Sequence, residues 1–250
     1  MKLDIGYETN TGLLRDHNED ALGMWELNVP SEDGTGWHGW LLAVADGMGG
    51  HLAGEVASQL AIEVLPRAYE HHAATAPAAA LRSAAEEANR AVWDAGQTDA
   101  AHIGMGTTLV AALLRAGLLV VAHVGDSPAF LVRDMVAHRL TRDHSWVAEA
   151  VARGQLDQEE AEQHPYRHVL TRALGSVPEV LVDLSEELTL EPDDVVVLCS
   201  DGLLRHVREE EMARVVTERS AQAAAETLVD LANERGGEDN ITVIICRILS

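Results

Sequence analysis

Residues 40–54 read WLLAVADGMGGHLAG. An unbroken apolar run stops at Asp46 and passes at once into a loop that is nearly half glycine. A carboxylate at the edge of a hydrophobic layer is costly to desolvate unless a cation receives it. Gly47, Gly49 and Gly50 mark backbone held where a side chain would collide. What the run becomes in the fold, and what Asp46 faces, are the two questions the stretch raises.

The run is one of a series. Segments 3–9, 21–27, 40–45, 107–114, 118–124, 129–133, 180–190, 195–200 and 241–248 are β-branched or alternate with period two, and read as strands. Leu52, Val56, Leu60 and Val64 recur every fourth residue, and an Ala-rich segment from Pro77 to Ala95 follows, predicting two long helices. A further helical block spans about 203–235, with Gly236 and Gly237 as its stop. RAGL at 115–118 reads as a hairpin link. Strands joined by hairpin links and interrupted by helix pairs predict an α+β fold of antiparallel sheets covered by helices, and disfavour a doubly wound parallel sheet.

The 250 residues show no Pro/Ser-rich linker and no shift in composition, so one domain spanning 1–250 is expected. No apolar run approaches bilayer length, and the start MKLDIGYETN lacks the apolar segment of a signal peptide. A cytoplasmic address without membrane attachment is the expectation. Cys199 and Cys246 each lie in an apolar run, which fits reduced buried thiols better than a disulfide. The formal net charge of -23, with Lys2 the only lysine, argues against a nucleic-acid surface. It would also repel an anionic substrate through the global field.

Asp46 has companions. AVADG (Asp46), AHVGDS (Asp126) and VLCSDG (Asp201) each end an apolar strand in Asp, GGEDNITV places Asp239 just before one, and Glu19 and Asp20 open the strand at 21. One Asp-Gly at a strand end is ordinarily a turn. Several that converge are another matter: two carboxylates about 5 Å apart repel by roughly 3 kcal/mol at an effective dielectric near 20. Cations are then required. Because the ligands are all oxygens, hard ions are favoured: Mg or Mn, with Ca less so and Zn disfavoured.

Two patterns point elsewhere. CSDGLLR (199–205) fits Cys-x5-Arg, the signature of thiolate phosphatases, but Asp201 would then sit inside the anion-binding loop and Cys199 continues the run VVVLC. GDSPA (125–129) faintly resembles a serine elbow, without the strand-to-helix transition that motif needs.

GLLRDHNEDA (12–21), LLAVADGMGGHLAGEVAS (41–58), GMGTTLVAALL (104–114), VAHVGDSPAFLV (121–132), the stretch from LTRDHSW to RALG (140–175), VVVLCSDGL (195–203) and GGEDNITVI (236–244) follow one another in this order. Together they closely resemble the bacterial PP2C (PPM) family of metal-dependent Ser/Thr protein phosphatases, over essentially residues 6–248. The resemblance implies a central β-sandwich of two antiparallel sheets flanked by helix pairs, in α-β-β-α layers, with the site at one end.

Carried over position by position, Asp46 resembles the carboxylate bridging two metals, and Gly47 the donor of a backbone carbonyl. Asp201 and Asp239 resemble the remaining ligands of the first metal, and Asp20 the residue holding the second metal's water shell. Of the adjacent pair, Asp20 is preferred over Glu19 because neighbouring strand side chains point to opposite faces. Asp126 resembles the ligand that forms a third site with Asp201. Arg15 matches a phosphate-binding arginine, whose planar guanidinium can grip two oxygens at once. His51 matches a histidine linked to substrate binding or leaving-group protonation, and reads equally as a surface histidine at a helix start.

The implied chemistry is direct. Two Mn or Mg ions lower the pKa of a bridging water, its hydroxide attacks phosphorus in line, and the metals with Arg15 neutralise the equatorial oxygens. The pocket is then locally positive within an acidic protein. The implied partners are phosphorylated proteins of a Ser/Thr kinase system, and the protein is expected to be a monomer. Segment 145–168 matches the family's flap, with Asp157 and Glu160 forming a capping box and Gly154 ending the helix before it. Two departures stand out. Pro128 follows GDS where the family has Arg, which puts the geometry beside Asp126 in question, and Leu203 and Leu204 replace a small polar residue after SDG. A catalytically dead relative would be expected to lack a carboxylate or Arg15, and this chain lacks neither.

Overall fold

The computed structural model describes residues 1–29, 36–49, 53–98 and 100–249. Three strands open the chain: β1 (Leu3–Asn10), β2 (Asp20–Val29) and β3 (Trp37–Met48). Two long helices, α1 (Ala53–His72) and α2 (Pro77–Thr98), pack on one another. Five strands follow: β4 (Gly106–Thr107), β5 (Leu109–Arg115), β6 (Leu118–Val124), β7 (Ala129–Arg133) and β8 (Val136–Arg139). After the short helices α3 (Trp146–Ala152) and α4 (Gln158–Gln163) come β9 (Asp183–Leu184), β10 (Leu188–Thr189) and β11 (Val195–Cys199). The chain closes with α5 (Asp201–Leu204), α6 (Glu209–Glu218), α7 (Ala221–Glu234) and β12 (Ile241–Ile248).

One sheet has the order β1-β12-β11-β7-β8 and the other β10-β6-β5-β3-β2, with β4 added to β3 and β9 to β6. The described strand pairs are all antiparallel. Period-two alternation explains the layering. Along β3, Leu42 and Val44 face the other sheet while Leu41, Ala43 and Ala45 face α1 and α2. Along β12, Ile244, Cys246 and Ile248 point inward to the first set, and Ile241, Val243 and Ile245 point to α5–α7. Central strands are therefore buried on both faces, which is why they read as continuous apolar runs. The α-β-β-α sandwich is the expected one.

Local differences have local causes. β3 runs past Asp46, because Gly47 and Met48 pair with Thr107 and Gly106; Asp46 sits inside a strand, not at its end. The stretch 180–190 forms two two-residue strands on β6, interrupted where Val121 N donates to the Ser185 hydroxyl at 3.0 Å in place of a backbone acceptor. β8 carries no apolar run; its hairpin turns on Asp134 and Met135 at φ 52 and 62, without the glycine that advertises such a turn. RAGL behaves as read, with Ala116 and Gly117 at φ 52 and 79 between β5 and β6. In α1 the fully buried stripe is Ala57, Ala61 and Leu65, while Val56, Leu60 and Val64 flank it half-buried; Leu52 lies outside the described residues. The block 203–235 is three helices, and α7 ends as expected, with Gly237 N reaching back to Ala232 O at 3.1 Å.

Candidate active site

Antiparallel order brings the starts of β2 and β12 and the ends of β3, β6 and β11 to one rim of the sandwich. Asp20 stands directly opposite Asp46 in the β2–β3 ladder. The two sheets are stitched together at this point: Ser200 Oγ donates to Asp20 Oδ2 at 2.7 Å and itself accepts from Thr242 N at 3.0 Å. Asp201 opens α5 directly after β11, and Asp239 precedes β12.

Between them opens a cleft of ≈ 540 Å³. Arg15, Asp46, Gly47, Asp126, Asp201 and Asp239 all line it. Asp20 does not; it lies behind Asp46, only 8% exposed, and Glu19 forms the wall in its stead. His51 lies outside the described residues.

Gly47 is a glycine first of all for packing. A Cβ there would lie 2.2 Å from Gly54 O and 2.5 Å from Glu19 O, so no side chain fits where β3 passes α1 and the β2 entry. Asp126 is aimed by a neighbouring clasp: His144 N donates to Gly125 O at 3.0 Å, and Gly125 N donates to His144 Nδ1 at 3.1 Å. The accepting Nδ1 leaves Nε2 to carry the proton facing Asp183 Oδ2 at 3.2 Å. Pro128 costs no ladder bond, since its carbonyl accepts from Cys199 N at 3.2 Å and the strand proper begins at Ala129.

The electrostatics are those of crowded, dehydrated acids. Burial raises the Asp20 carboxyl to about 7, with Asp201 and Asp239 adding repulsion. Burial and then Asp201 raise Asp126 to about 7. Asp46 is pushed well above the ordinary carboxylate range, by burial first and Asp20 next. Two arginines face this group: Arg15 NH2 is 2.8 Å from Asp239 Oδ1, and Arg205 NH2 is 2.7 Å from Asp201 Oδ2 and 3.0 Å from Asp239 Oδ2.

The chemistry of these residues fits divalent cations. Asp20 Oδ1 is buried without a hydrogen-bond partner, a costly state that a cation or its bound water would relieve. The carboxylates of Asp46, Asp126, Asp201 and Asp239 with the Gly47 carbonyl form an all-oxygen donor set.

Sequence reasoning passed over several residues. Arg205 entered only as part of Cys-x5-Arg. Asn240 is a clamp: its Oδ1 accepts from Glu19 N at 2.8 Å, and its Nδ2 donates to Thr11 O and His17 O at 2.9 Å, so it holds both arms of the loop that carries Arg15. Its signal was its place directly after Asp239 in GGEDNITVI. His168 and Leu170 reach the cleft from the segment after β8, whose neck is closed by Trp146 N to Val169 O and Thr171 N to His144 O, both 2.8 Å. Within that segment the Asp157–Glu160 capping box is present and Gly154 adopts φ 68.

The thiolate alternative finds no support. Cys199 is fully buried among Phe130, Val195 and Val197 on the helix side of its sheet, and burial pushes its thiol far up. Arg205 turns to carboxylates, not to a loop around that sulfur.

Residues 17–235 match the profile of the family described as protein phosphatase 2C. The chain is 38% identical over 244 residues to the serine/threonine phosphatase stp of Listeria monocytogenes serovar 1/2a, covering 96% of this chain and 93% of that one. The crystal structure of the Mycobacterium tuberculosis serine/threonine phosphatase PstP/Ppp superposes with a TM-score of 0.86 at 34% identity, covering 99% of each chain. A structure of the catalytic domain of serine threonine protein phosphatase PstP in complex with two manganese ions gives 0.80 at 32% identity, again over 99% of each chain. The chain belongs to the protein phosphatase 2C family. It is a protein serine/threonine phosphatase, and phosphorylated proteins are its substrates.

Proposed function

We propose that the cleft is a centre of two Mn or Mg ions, with a further ion beside Asp126, that hydrolyses phosphoserine and phosphothreonine in proteins. The observation that carries this reading is the gathering of Asp46, Asp126, Asp201 and Asp239 on one rim, beside the orphaned Asp20 oxygen and facing arginines. Asp46 would hold both principal ions and the Gly47 carbonyl one of them, with Asp201 and Asp239 on the first and Asp20 holding the waters of the second. Bound there, such ions supply Lewis acidity and an activated water as nucleophile. A solved relative, the catalytic domain of PstP in complex with two manganese ions, supports a metal centre of this kind.

The chain's own residues do the rest. Arg15, half exposed at the mouth and held on Asp239, is placed to receive two phosphate oxygens in a fork that also fixes the orientation of the ester. Asn240 keeps that arginine's loop in register with Asp239. His168, at the end of the 145–168 flap, and Leu170, just beyond it, bring a polar and an apolar side chain to the wall, where they can exclude water from the bound phosphoryl group. The cations and arginines together reverse the local field, so a protein of net charge -23 can admit a dianionic ester. A histidine at 51 would serve the leaving group or the substrate.

We read residues 1–250 as a single catalytic domain acting as a cytoplasmic monomer opposite a Ser/Thr kinase. Among the described residues no helix is long and apolar enough to cross a membrane. The deciding experiment is hydrolysis of phosphoserine, phosphothreonine and phosphotyrosine peptides with Mn, Mg or EDTA. Turnover of the first two with either metal, and none with EDTA, is expected; metal-independent turnover overturns the reading.

A further inference from the structure

Beyond its share in the local field, Arg205 has no part assigned to it in the proposed chemistry. It caps the one-turn helix α5, and its backbone N–H donates to Asp201 O at 3.2 Å, so the backbone itself puts it one turn beyond Asp201. Its guanidinium reaches Asp201 Oδ2 at 2.7 Å and Asp239 Oδ2 at 3.0 Å. The side chain is 26% exposed against 50% for Arg15, so it is the more enclosed of the two arginines in the cleft. The apolar side of the same turn is accounted for: Leu203 is fully buried and Leu204 packs on the core beneath α5.

Resting on the reading of Asp201 and Asp239 as metal ligands, we propose that Arg205 is an internal cation that holds these two carboxylates in the metal-free chain and competes with divalent ions for them. A carboxylate oxygen engaged by a guanidinium at hydrogen-bond distance offers its lone pair to that group, and an ion taking the same oxygen must displace it. The displaced charge stays tethered one helical turn away and continues to repel the ion. Arg205 therefore stabilises the crowded acids when no metal is present and weakens the metal complex when it is. Coupling between two cations for one site is reciprocal, so both effects have one origin. Arg15 differs, because it touches only Asp239 and can swing to solvent or phosphate.

The test is titration calorimetry of MnCl2 into EDTA-stripped, desalted wild type, Arg205→Gln and Arg205→Lys, with thermal melts of each protein metal-free and Mn-saturated. Arg205→Gln is expected to bind Mn about tenfold more tightly, within the usual range for coupled sites. Its metal-free Tm falls while its Mn-saturated Tm does not. Arg205→Lys, which keeps the charge on a shorter and more hydrated head, falls between the two. Equal Mn affinity in wild type and Arg205→Gln overturns the proposal. So does a Tm lowered equally with and without Mn, which would make the residue a helix-capping ion pair and nothing more. If neither protein binds Mn, the ligand assignment itself fails and takes the inference with it.

Discussion

Asp20 and Asp46 stand directly opposite one another across the β2–β3 ladder, two acids in a pairing position where like charges oppose sheet formation. Neither can be moved by a simple local adjustment. Asp20 is held by Ser200, and the β3 backbone around Asp46 is fixed by Thr108, whose hydroxyl accepts from Asp46 N at 2.9 Å and whose N–H donates to Asp46 O at 2.9 Å. The fold thus carries a local electrostatic strain where the proposed cations would bind.

That strain makes stability depend on pH and metal together. Asp20 and Asp126 titrate at about 7 in the folded chain against an ordinary 3.8. Between those values the folded metal-free protein holds more protons than the unfolded chain, so its stability falls as the pH rises from about 4 to about 7. Metal replaces those protons, so the rise in Tm caused by Mn should be larger at about pH 7.5 than at about pH 5.5. A shift of roughly 5–10 °C is expected at about a hundredfold excess over Kd. Melts with Mn and with EDTA that coincide at the higher pH contradict this.

Asp46→Asn and Asp239→Asn should each lower turnover by at least about a hundredfold at saturating Mn, since each takes a charged oxygen from the ions that stabilise the transition state. Far-ultraviolet circular dichroism checks that the variants fold. Near-normal kcat in either would remove that residue from the metal centre.

Arg15→Ala should raise KM for a phosphothreonine peptide about tenfold or more and change kcat less, because a guanidinium that grips phosphate in the ground state binds substrate and transition state alike. Arg15 is half exposed in its pair with Asp239, so the pair contributes little to stability and the Tm should hardly move. Steady-state kinetics decide it: an unchanged KM places the phosphate elsewhere.

Cys199→Ser should cost about 1–2 kcal/mol of stability, the ordinary effect of a polar atom in a packed core, and leave most of the activity. Urea unfolding and a peptide assay measure the two quantities. A well-folded but inactive serine variant, together with EDTA-resistant activity of the wild type, would restore the thiolate mechanism.

The fold was legible where patterns are local. The apolar runs 40–45, 118–124 and 241–248 become strands whose alternate residues meet two different apolar layers, the helices and the opposite sheet. The hairpin at 115–118 and the capping box at 157–160 follow from backbone preferences spanning four residues. β8 was not legible, since its turn uses Asp134 and Met135 where glycine would have marked it. The division of 180–190 hangs on a Ser185 hydroxyl meeting Val121, a residue more than sixty positions away. In the site, the aspartates announced themselves by one repeated grammar, whereas Asn240 and Arg205 belong to no repeated pattern.

By itself, then, the chain's order of residues determined an antiparallel sandwich under helices and a set of carboxylates at or near the strand ends that only cations could reconcile, because hydrophobic patterning and the cost of a dehydrated charge are local properties. The tertiary structure alone decided which acids face the opening. It turned Glu19 to the cleft wall and buried Asp20 behind Asp46, through the β2–β3 register and the Ser200 bond from the other sheet. It also closed Arg205 over two aspartates, one of them 34 residues further along the chain. Each of these outcomes depends on distances between segments remote in sequence, which ladder register and sheet packing set and which no run of neighbouring residues encodes.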